Sequence, residues 1–275
     1  GSRPEMVNWY RRSVLSKEPP RAILITGGSA GIGRAAALLF AAMGDQVAVV
    51  ARRAEALDEL AAEAERAKLP GTILPLVADV TDAAAIQRAV ARALAEFNRL
   101  DVVVAGAGVG HRGSLADAQW DDLDAVLRTN VDGVLHTVRA AVPAMRASGG
   151  GHIVLLSSVL GPVPAPYAAA YSASKAALEA LGRALRGELR ADGITVTVLR
   201  IGQTDTEFAA KRRGQPGKVA TRWPAMTPEQ VAGGIARSLE RHPRILTLRW
   251  IDRLFIWGGQ WFPAWMDRLL RRIYG

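Results

Sequence analysis

Short, continuously apolar runs alternate along this chain with longer alanine-rich stretches, and no other feature restricts the fold as much. RAILIT, QVAVVA, TILPLVAD, LDVVVAG, HIVLLSS, ITVTVLRIG and RILTL read as strands. Between them the pattern predicts helices over roughly 31–43, 54–68, 82–97, 117–147, 170–191 and 227–241. Strands joined through helices pair in parallel. Strands that are apolar on both faces must be covered on both sides, so the expected class is α/β, a doubly wound parallel sheet of about seven strands. Gly44 reads as the close of the first helix, and Thr227 followed by Pro228 as the N-cap and first-turn proline of the last.

The turn between the first strand and first helix reads TGGSAGIGR, with Gly27, Gly31 and Gly33 in G-x-x-x-G-x-G spacing. This is not the general G-x-G-x-x-G dinucleotide pattern, but the physics is the same. Positions without side chains let backbone N–H groups approach a pyrophosphate at a helix N-terminus, whose dipole favours the anion. A bare glycine turn is the plainer reading; the strand before and helix after favour the phosphate. At the end of the second strand, where an acidic residue would take the ribose 2′-hydroxyl of NAD, the chain reads VVARR. Arg52 and Arg53 suit a bidentate clamp on a 2′-phosphate, and NADP(H) is expected ahead of NAD(H).

In AAAYSASKAAL, from Ala168 to Leu178, Tyr171 precedes Lys175 by four positions, which on a helix puts phenol and ammonium on one face. Such a pair alone is more often an ordinary helical face. With TGGSAGIG, ADV, Asn130, LLSS and YSASK in this order, however, the chain resembles the short-chain dehydrogenase/reductase family over about residues 21–248. The resemblance implies a single-domain Rossmann fold with NAD(P) on the carboxyl ends of the strands, in a homodimer or homotetramer. It also implies a catalytic set. Ser158, 13 residues before Tyr171, orients the substrate, with Ser157 as a neighbour, and Asn130, in RTNVDG, is the fourth member.

Cofactor contacts are implied at Gly27, Ser29, Ala30, Gly31, Ile32 and Gly33, at Arg52 and Arg53, at Asp79 (adenine) and Val80, and at Ala105, Gly106 and Ala107. Tyr171, Lys175, Gly202, Thr204 and Thr206 complete them. A free tyrosine titrates near pH 10, so the ammonium of Lys175 and the oxidised nicotinamide are expected to bring the phenol nearer to neutrality. Small residues Ser172, Ala173 and Ser174 are expected to leave room for the cofactor. The chain departs from the family twice. AGAG (105–108) stands where the family has N-N-A-G, removing a side chain that braces the sheet, and Ile201–Gly202 stands for Pro-Gly, loosening a turn beside the nicotinamide.

The 275 residues, 49% hydrophobic, suffice for one large core. The expected organisation is an extension over 1–20, a catalytic domain over 21–249 with a substrate loop at 209–226, and a tail over 250–275. Cysteine is absent, and His111, His136, His152 and His242 lack zinc-site spacing, so no metal is expected. The net charge of +9 suggests nucleic acid, but the arginines are interspersed with acids on helices, and no nucleic-acid motif appears. No signal-peptide pattern opens the chain, which reads as cytoplasmic.

Four of the seven Trp residues fall in the tail, WIDRLFIWGGQWFPAWMDRLLRRIYG, where apolar residues at 250, 254, 257, 261, 265, 269 and 273 recur at helical spacing. The helix is expected to break at Gly258–Gly259 and at Pro263. Two readings stand: a roof over the substrate cleft or a dimer element, and a helix in the interface of the inner membrane face. Both suggest a hydrophobic substrate. The functional expectation is an NADP(H)-dependent oxidoreductase interconverting carbonyl and alcohol, with a non-catalytic nucleotide-binding or membrane-recruited scaffold as the alternative.

Overall fold

All seven apolar runs enter one sheet. The computed structural model describes residues 19–215 and 224–274; most of the expected N-terminal extension, up to residue 18, and residues 216–223 of the expected substrate loop lie outside them. In chain order the strands are β1 (Ala22–Thr26), β2 (Gln46–Ala51), β3 (Thr72–Val77), β4 (Val102–Ala105), β5 (His111–Arg112), β6 (Gly151–Ser158), β7 (Ile194–Ile201), β8 (Arg213–Gly214) and β9 (Ile245–Thr247). The main sheet has the order β3-β2-β1-β4-β6-β7-β9, parallel throughout, and β5 with β8 forms a two-stranded ribbon that the sequence pattern does not announce. Strand order reverses between β1 and β4, which opens a crevice outside their carboxyl ends, the ordinary ligand position in such sheets.

Helices α1 (Gly31–Ala42), α2 (Ala54–Arg66), α3 (Ala83–Phe97), α4 (Trp120–Leu127), α5 (Gly133–Ala147), α6 (Ala169–Glu188) and α7 (Pro228–Arg241) cover the sheet. Alternate residues of β1 divide between two cores. Leu24 packs with Val90 and Phe97 of α3, Val138 of α5 and Leu178 of α6, while Ile23 and Ile25 pack with Phe40 of α1, Leu57 of α2 and Ile235 of α7. Each such side chain, fully buried, contributes roughly 1.5–3 kcal/mol. Asp82 caps α3, its carboxylate accepting from Ala84 and Ala85. Thr227 and Gln230 form a reciprocal capping box on α7, with Pro228 in its first turn. Gly44 follows the end of α1 with φ of 93°, where glycine carries no steric cost.

Two expectations change. The single helix over 117–147 begins at Trp120 and is interrupted by a π turn at Arg128–Asp132, the segment that carries Asn130. In the tail, α8 (Trp250–Trp261) runs through Gly258–Gly259 without a break, and the chain turns only at Phe262, before α9 (Pro263–Tyr274). A glycine pair costs helix propensity, but here it gives closeness: a Cβ on Gly259 would lie 2.5 Å from Val163, so tertiary packing overrides the propensity.

Candidate active site

The glycine turn ends β1 and starts α1. Gly27 has φ of 77°, and a Cβ there would lie 2.6 Å from Ala107 Cα, so the turn and the segment after β4 touch backbone to backbone. The backbone N–H groups of Gly106 and Ala107 donate to the Thr26 hydroxyl at 3.2 and 3.4 Å, so this buried threonine braces the AGAG segment. A cavity of about 600 Å³ opens at the turn, lined by Ser29, Ala30, Gly31, Arg34, Arg53, Asp205, Thr206, Glu207 and Pro228. Of the expected cofactor contacts, Ser29, Ala30, Gly31, Arg53 and Thr206 line it directly; Arg34, just after the glycines, was not anticipated.

The two arginines turn to different partners. Arg53 Nη2 donates to the Ser29 carbonyl and approaches the Ser29 hydroxyl, both at 3.3 Å, whereas Arg52 turns to Asp79 at 3.6 Å. Burial works to raise the Asp79 carboxyl, but the Thr81 N–H and hydroxyl together with the Arg52 guanidinium hold it below the usual carboxylate range. Val80 is buried, its side chain against Gly133. Ala105 is buried at the end of β4, and Ile32 is half-buried in the first turn of α1. The Thr204 hydroxyl donates to the Gly202 carbonyl, and the Thr206 hydroxyl accepts from the Phe208 N–H. Gly202 lies against the Arg249–Asp252 ion pair: a Cβ would meet Arg249 Nη2 and both Asp252 carboxylate oxygens at 2.6 Å. The turn expected to be loose is held from the tail.

Ser158 ends β6, and α6 brings Tyr171 and Lys175 to the same crevice. The Ser158 hydroxyl accepts from the Leu160 N–H at 3.2 Å and shares a hydrogen bond with the Tyr171 phenol. Lys175 Nζ donates to the Leu156 carbonyl at 2.8 Å and stands 5.8 Å from the Tyr171 ring centroid. Asn130 is fully buried in the π turn. Its Oδ1 accepts from the Val109 N–H at 2.8 Å, and its Nδ2 donates to the Val109 carbonyl and the Ser174 hydroxyl, each at 2.9 Å. Ser174 in turn donates to the Tyr171 carbonyl. Asn130 thus ties the segment after β4 to the helix carrying Tyr171 and Lys175. Of the small residues Ser172, Ala173 and Ser174, the two serines are buried and hydrogen-bonded within the fold and Ala173 is exposed, and Ser157 donates to the Lys175 carbonyl.

Tyr171 keeps some solvent exposure, yet burial pushes its phenol up to about 12, with Ser158 and Arg212 opposing and Tyr274 adding to the rise. Burial also lowers Lys175, to about 8. Among the protein's own groups, Ser158 and Arg212 are the ones that draw the phenol downward.

Above Tyr171 sits a roof built from Phe208 and from the tail, the latter in the position that one of the two sequence readings gave it. Phe208 packs on the Tyr171 ring with centroids 5.9 Å apart. The tail covers the site from the other side: Ile256, Met266 and Leu270, with Phe255 and Tyr274, pack on Leu160, Val163, Ala165, Ala168 and Tyr171. Arg112 Nη2 donates to the Tyr274 carbonyl at 3.1 Å, fixing the end of the tail.

A family model described as short chain dehydrogenase matches residues 21–217. Glycine betaine reductase ATRR of Emericella nidulans is 32% identical over 258 residues, which are 85% of this chain but 20% of that protein, so the chain spans about a fifth of that relative's length. A short-chain dehydrogenase from Streptomyces avermitilis has a similar structure, with a TM-score of 0.76 at 30% identity, covering 92% of this chain and 96% of that one. An alcohol dehydrogenase from the archaeon Thermococcus sibiricus, complexed with 5-hydroxy-NADP, gives 0.74 at 28% identity, covering 84% and 97%. Given the extent of the family match, the parallel sheet and the site at its carboxyl ends, this chain belongs to the short-chain dehydrogenase/reductase family.

Proposed function

We propose that this protein is an NADP(H)-dependent oxidoreductase, working as a homodimer or homotetramer, that interconverts a carbonyl and an alcohol on a hydrophobic, lipid-like substrate. The observation that carries the reading is the meeting of Ser158, Tyr171 and Lys175 beneath a roof of Phe208, Phe255, Ile256, Met266 and Leu270. The glycine turn, with its backbone N–H groups at the start of α1 and Arg34 and Arg53 on the cavity wall, fits a phosphate-bearing dinucleotide. The 5-hydroxy-NADP bound to the Thermococcus sibiricus relative supports a cofactor carrying a 2′-phosphate.

When bound, the nicotinamide supplies or accepts the hydride. The chain's own groups handle the oxygen and its proton. Ser158 holds the substrate oxygen and stabilises charge developing there. Tyr171 lies within reach of Ser158, and a phenol raised to about 12 is protonated at neutral pH, ready to give its proton to an alkoxide in the reductive direction. Lys175 titrates near 8, so it remains mostly an ammonium at neutrality and offsets the phenolate that proton transfer leaves. Asn130 positions the lysine's helix through Ser174.

The test is cofactor selectivity. Arg53→Ala is expected to weaken NADPH binding about tenfold or more while leaving NADH nearly unchanged, since one charge-assisted hydrogen bond contributes roughly 1.5–3 kcal/mol. Titration calorimetry of both cofactors measures this directly. Equal losses, or a wild-type preference for NADH, would overturn the assignment. Turnover of a panel of apolar ketones, followed at the nicotinamide absorbance, tests the substrate class.

A further inference from the structure

The tail has two faces, and the roof over the cleft uses only one. Ile256, Met266 and Leu270 point inward and are buried, while Trp250, Trp257, Trp261 and Trp265 face water at 69, 55, 68 and 58% exposure. Three of the aromatics form a cluster, Trp257 lying 6.4 Å from Trp261 and 5.8 Å from Phe262, centroid to centroid; Trp250 and Leu254 share their side of α8 at i, i+4, i+7 and i+11 spacing, and Trp265 and Leu269 are exposed four apart on α9. Scattered apolar side chains on a surface are ordinary, whereas a contiguous aromatic patch marks an interaction site. Of the expected stripe of 250, 254, 257, 261, 265, 269 and 273, all but the half-buried Ile273 are exposed, on the side facing away from the protein.

We propose that this outer face docks on an anionic lipid bilayer, so that the two helices roofing the cleft also seat the protein at the membrane surface. Charge carries the choice of partner. Arg268 and Arg272, three and seven positions after Trp265, share its helix side, and Arg253 falls between Trp250 and Trp257. Arg271 adds a fourth exposed cation, and Asp267 is the one exposed acid of the two helices, Asp252 being buried against Arg249. Across a two-fold axis a second copy would set these arginines against one another, which disfavours self-association. An anionic bilayer complements them, and indoles settle at the headgroup level. Among the described residues no helix is long and apolar enough to cross a membrane, so α8 and α9 would lie in the interface plane. Docking stands on this surface alone. The further step, that an apolar substrate passes from the bilayer into the cleft beneath the same helices, rests on the function proposed above.

Sedimentation of the full chain with vesicles tests the proposal without any turnover. Phosphatidylcholine vesicles containing phosphatidylglycerol should bind the protein at low salt and shift its tryptophan emission to the blue. Raising ionic strength from about 0.05 M to about 0.5 M should weaken that binding on the order of tenfold or more, and phosphatidylcholine alone should bind poorly. Arg268→Glu with Arg272→Glu should cost on the order of tenfold or more in partitioning at an unchanged melting temperature. If that variant fails to fold, quenching of the wild-type indoles by brominated lipid in the acidic vesicles decides instead. Failure to sediment at low salt, or absence of quenching, overturns the proposal. So does a dimer in sedimentation velocity that Trp257→Ser with Trp261→Ser dissociates, since a second copy would then own the face. Lost vesicle binding with intact ketone turnover refutes the docking alone; lost turnover with intact binding refutes only the enzymatic reading.

Discussion

Tyr171 is held in two opposed ways. Burial favours its neutral phenol, and only Ser158 and Arg212 lean toward the phenolate. A proton donor that stays loaded at neutral pH suits reduction, and the cost of emptying it falls on the lysine four residues on. Tyr171→Phe removes the transferable proton and little else, so kcat should fall roughly 10²–10⁴-fold while NADPH affinity in calorimetry stays near wild type; a variant with undiminished turnover would show the proton comes from elsewhere. Asn130, Ser158, Tyr171 and Lys175 are singled out through the family resemblance, and the fold brings Ser158, Tyr171 and Lys175 to one crevice, with Asn130 bracing the helix of the latter two through Ser174. Arg52 and Arg53, expected as a joint clamp, are held by different neighbours in this structure. Beyond the last residue of β2, one guanidinium reaches Ser29 and the other Asp79, a parting of ways that two adjacent arginines in a sequence do not reveal. Phe208 and Tyr274 left no sequence signal, because what places them over Tyr171 is the return of distant segments.

Strands and helices were read well where apolar period decided them, and less well where tertiary contact did. The break between α4 and α5 is a π turn whose purpose is visible only in space: it carries Asn130 to both backbone groups of Val109. The tail's apolar stripe was equally plain in the sequence, but periodicity cannot say which face turns inward, and here Ile256, Met266 and Leu270 won the protein side. What fixes the tail's start is also long-range. Arg249 donates to Asp252 at 2.7 and 2.8 Å and to the Pro224 carbonyl at 2.6 Å, and this part-buried cluster rests on the bare Cα of Gly202. Replacing the family's Pro-Gly by Ile-Gly thus keeps the residue the packing requires. Gly202→Ala should cost about 1–3 kcal/mol through overpacking, read as a lower denaturant midpoint, and should expose the bond after Trp250 to limited proteolysis. An unchanged midpoint would mean the ion pair can shift aside freely.

At the scale of the whole molecule, chemistry and stability occupy opposite ends of the sheet. Ser158 ends β6 at the crevice, whereas His152 lies at its start, its ring tilted against that of His242 with centroids 4.8 Å apart. The Thr197 hydroxyl donates to the Pro243 carbonyl, so its oxygen is left to accept, and His152 Nε2 must carry the proton of the 2.8 Å bond between them. His152 Nδ1 is then a bare, buried nitrogen without a partner, and a proton placed there would find no acceptor. Burial, His242 and Arg186 together push His152 down to about 3. The unfolded chain takes that proton near pH 6.5, while the folded chain resists it, so the unfolded state binds more protons throughout the interval between. Stability contributed by the neutral ring is complete above pH 6.5 and is lost as pH falls toward 3, at up to about 1.4 kcal/mol per pH unit from this one group. His152→Gln, which can keep the bond to Thr197 but cannot titrate, should be less stable than wild type at pH 8 and should fall less steeply with acid. Urea melts from pH 8 to pH 4 would measure both slopes; parallel slopes would place the acid sensitivity of the fold on its carboxylates and clear His152 of it.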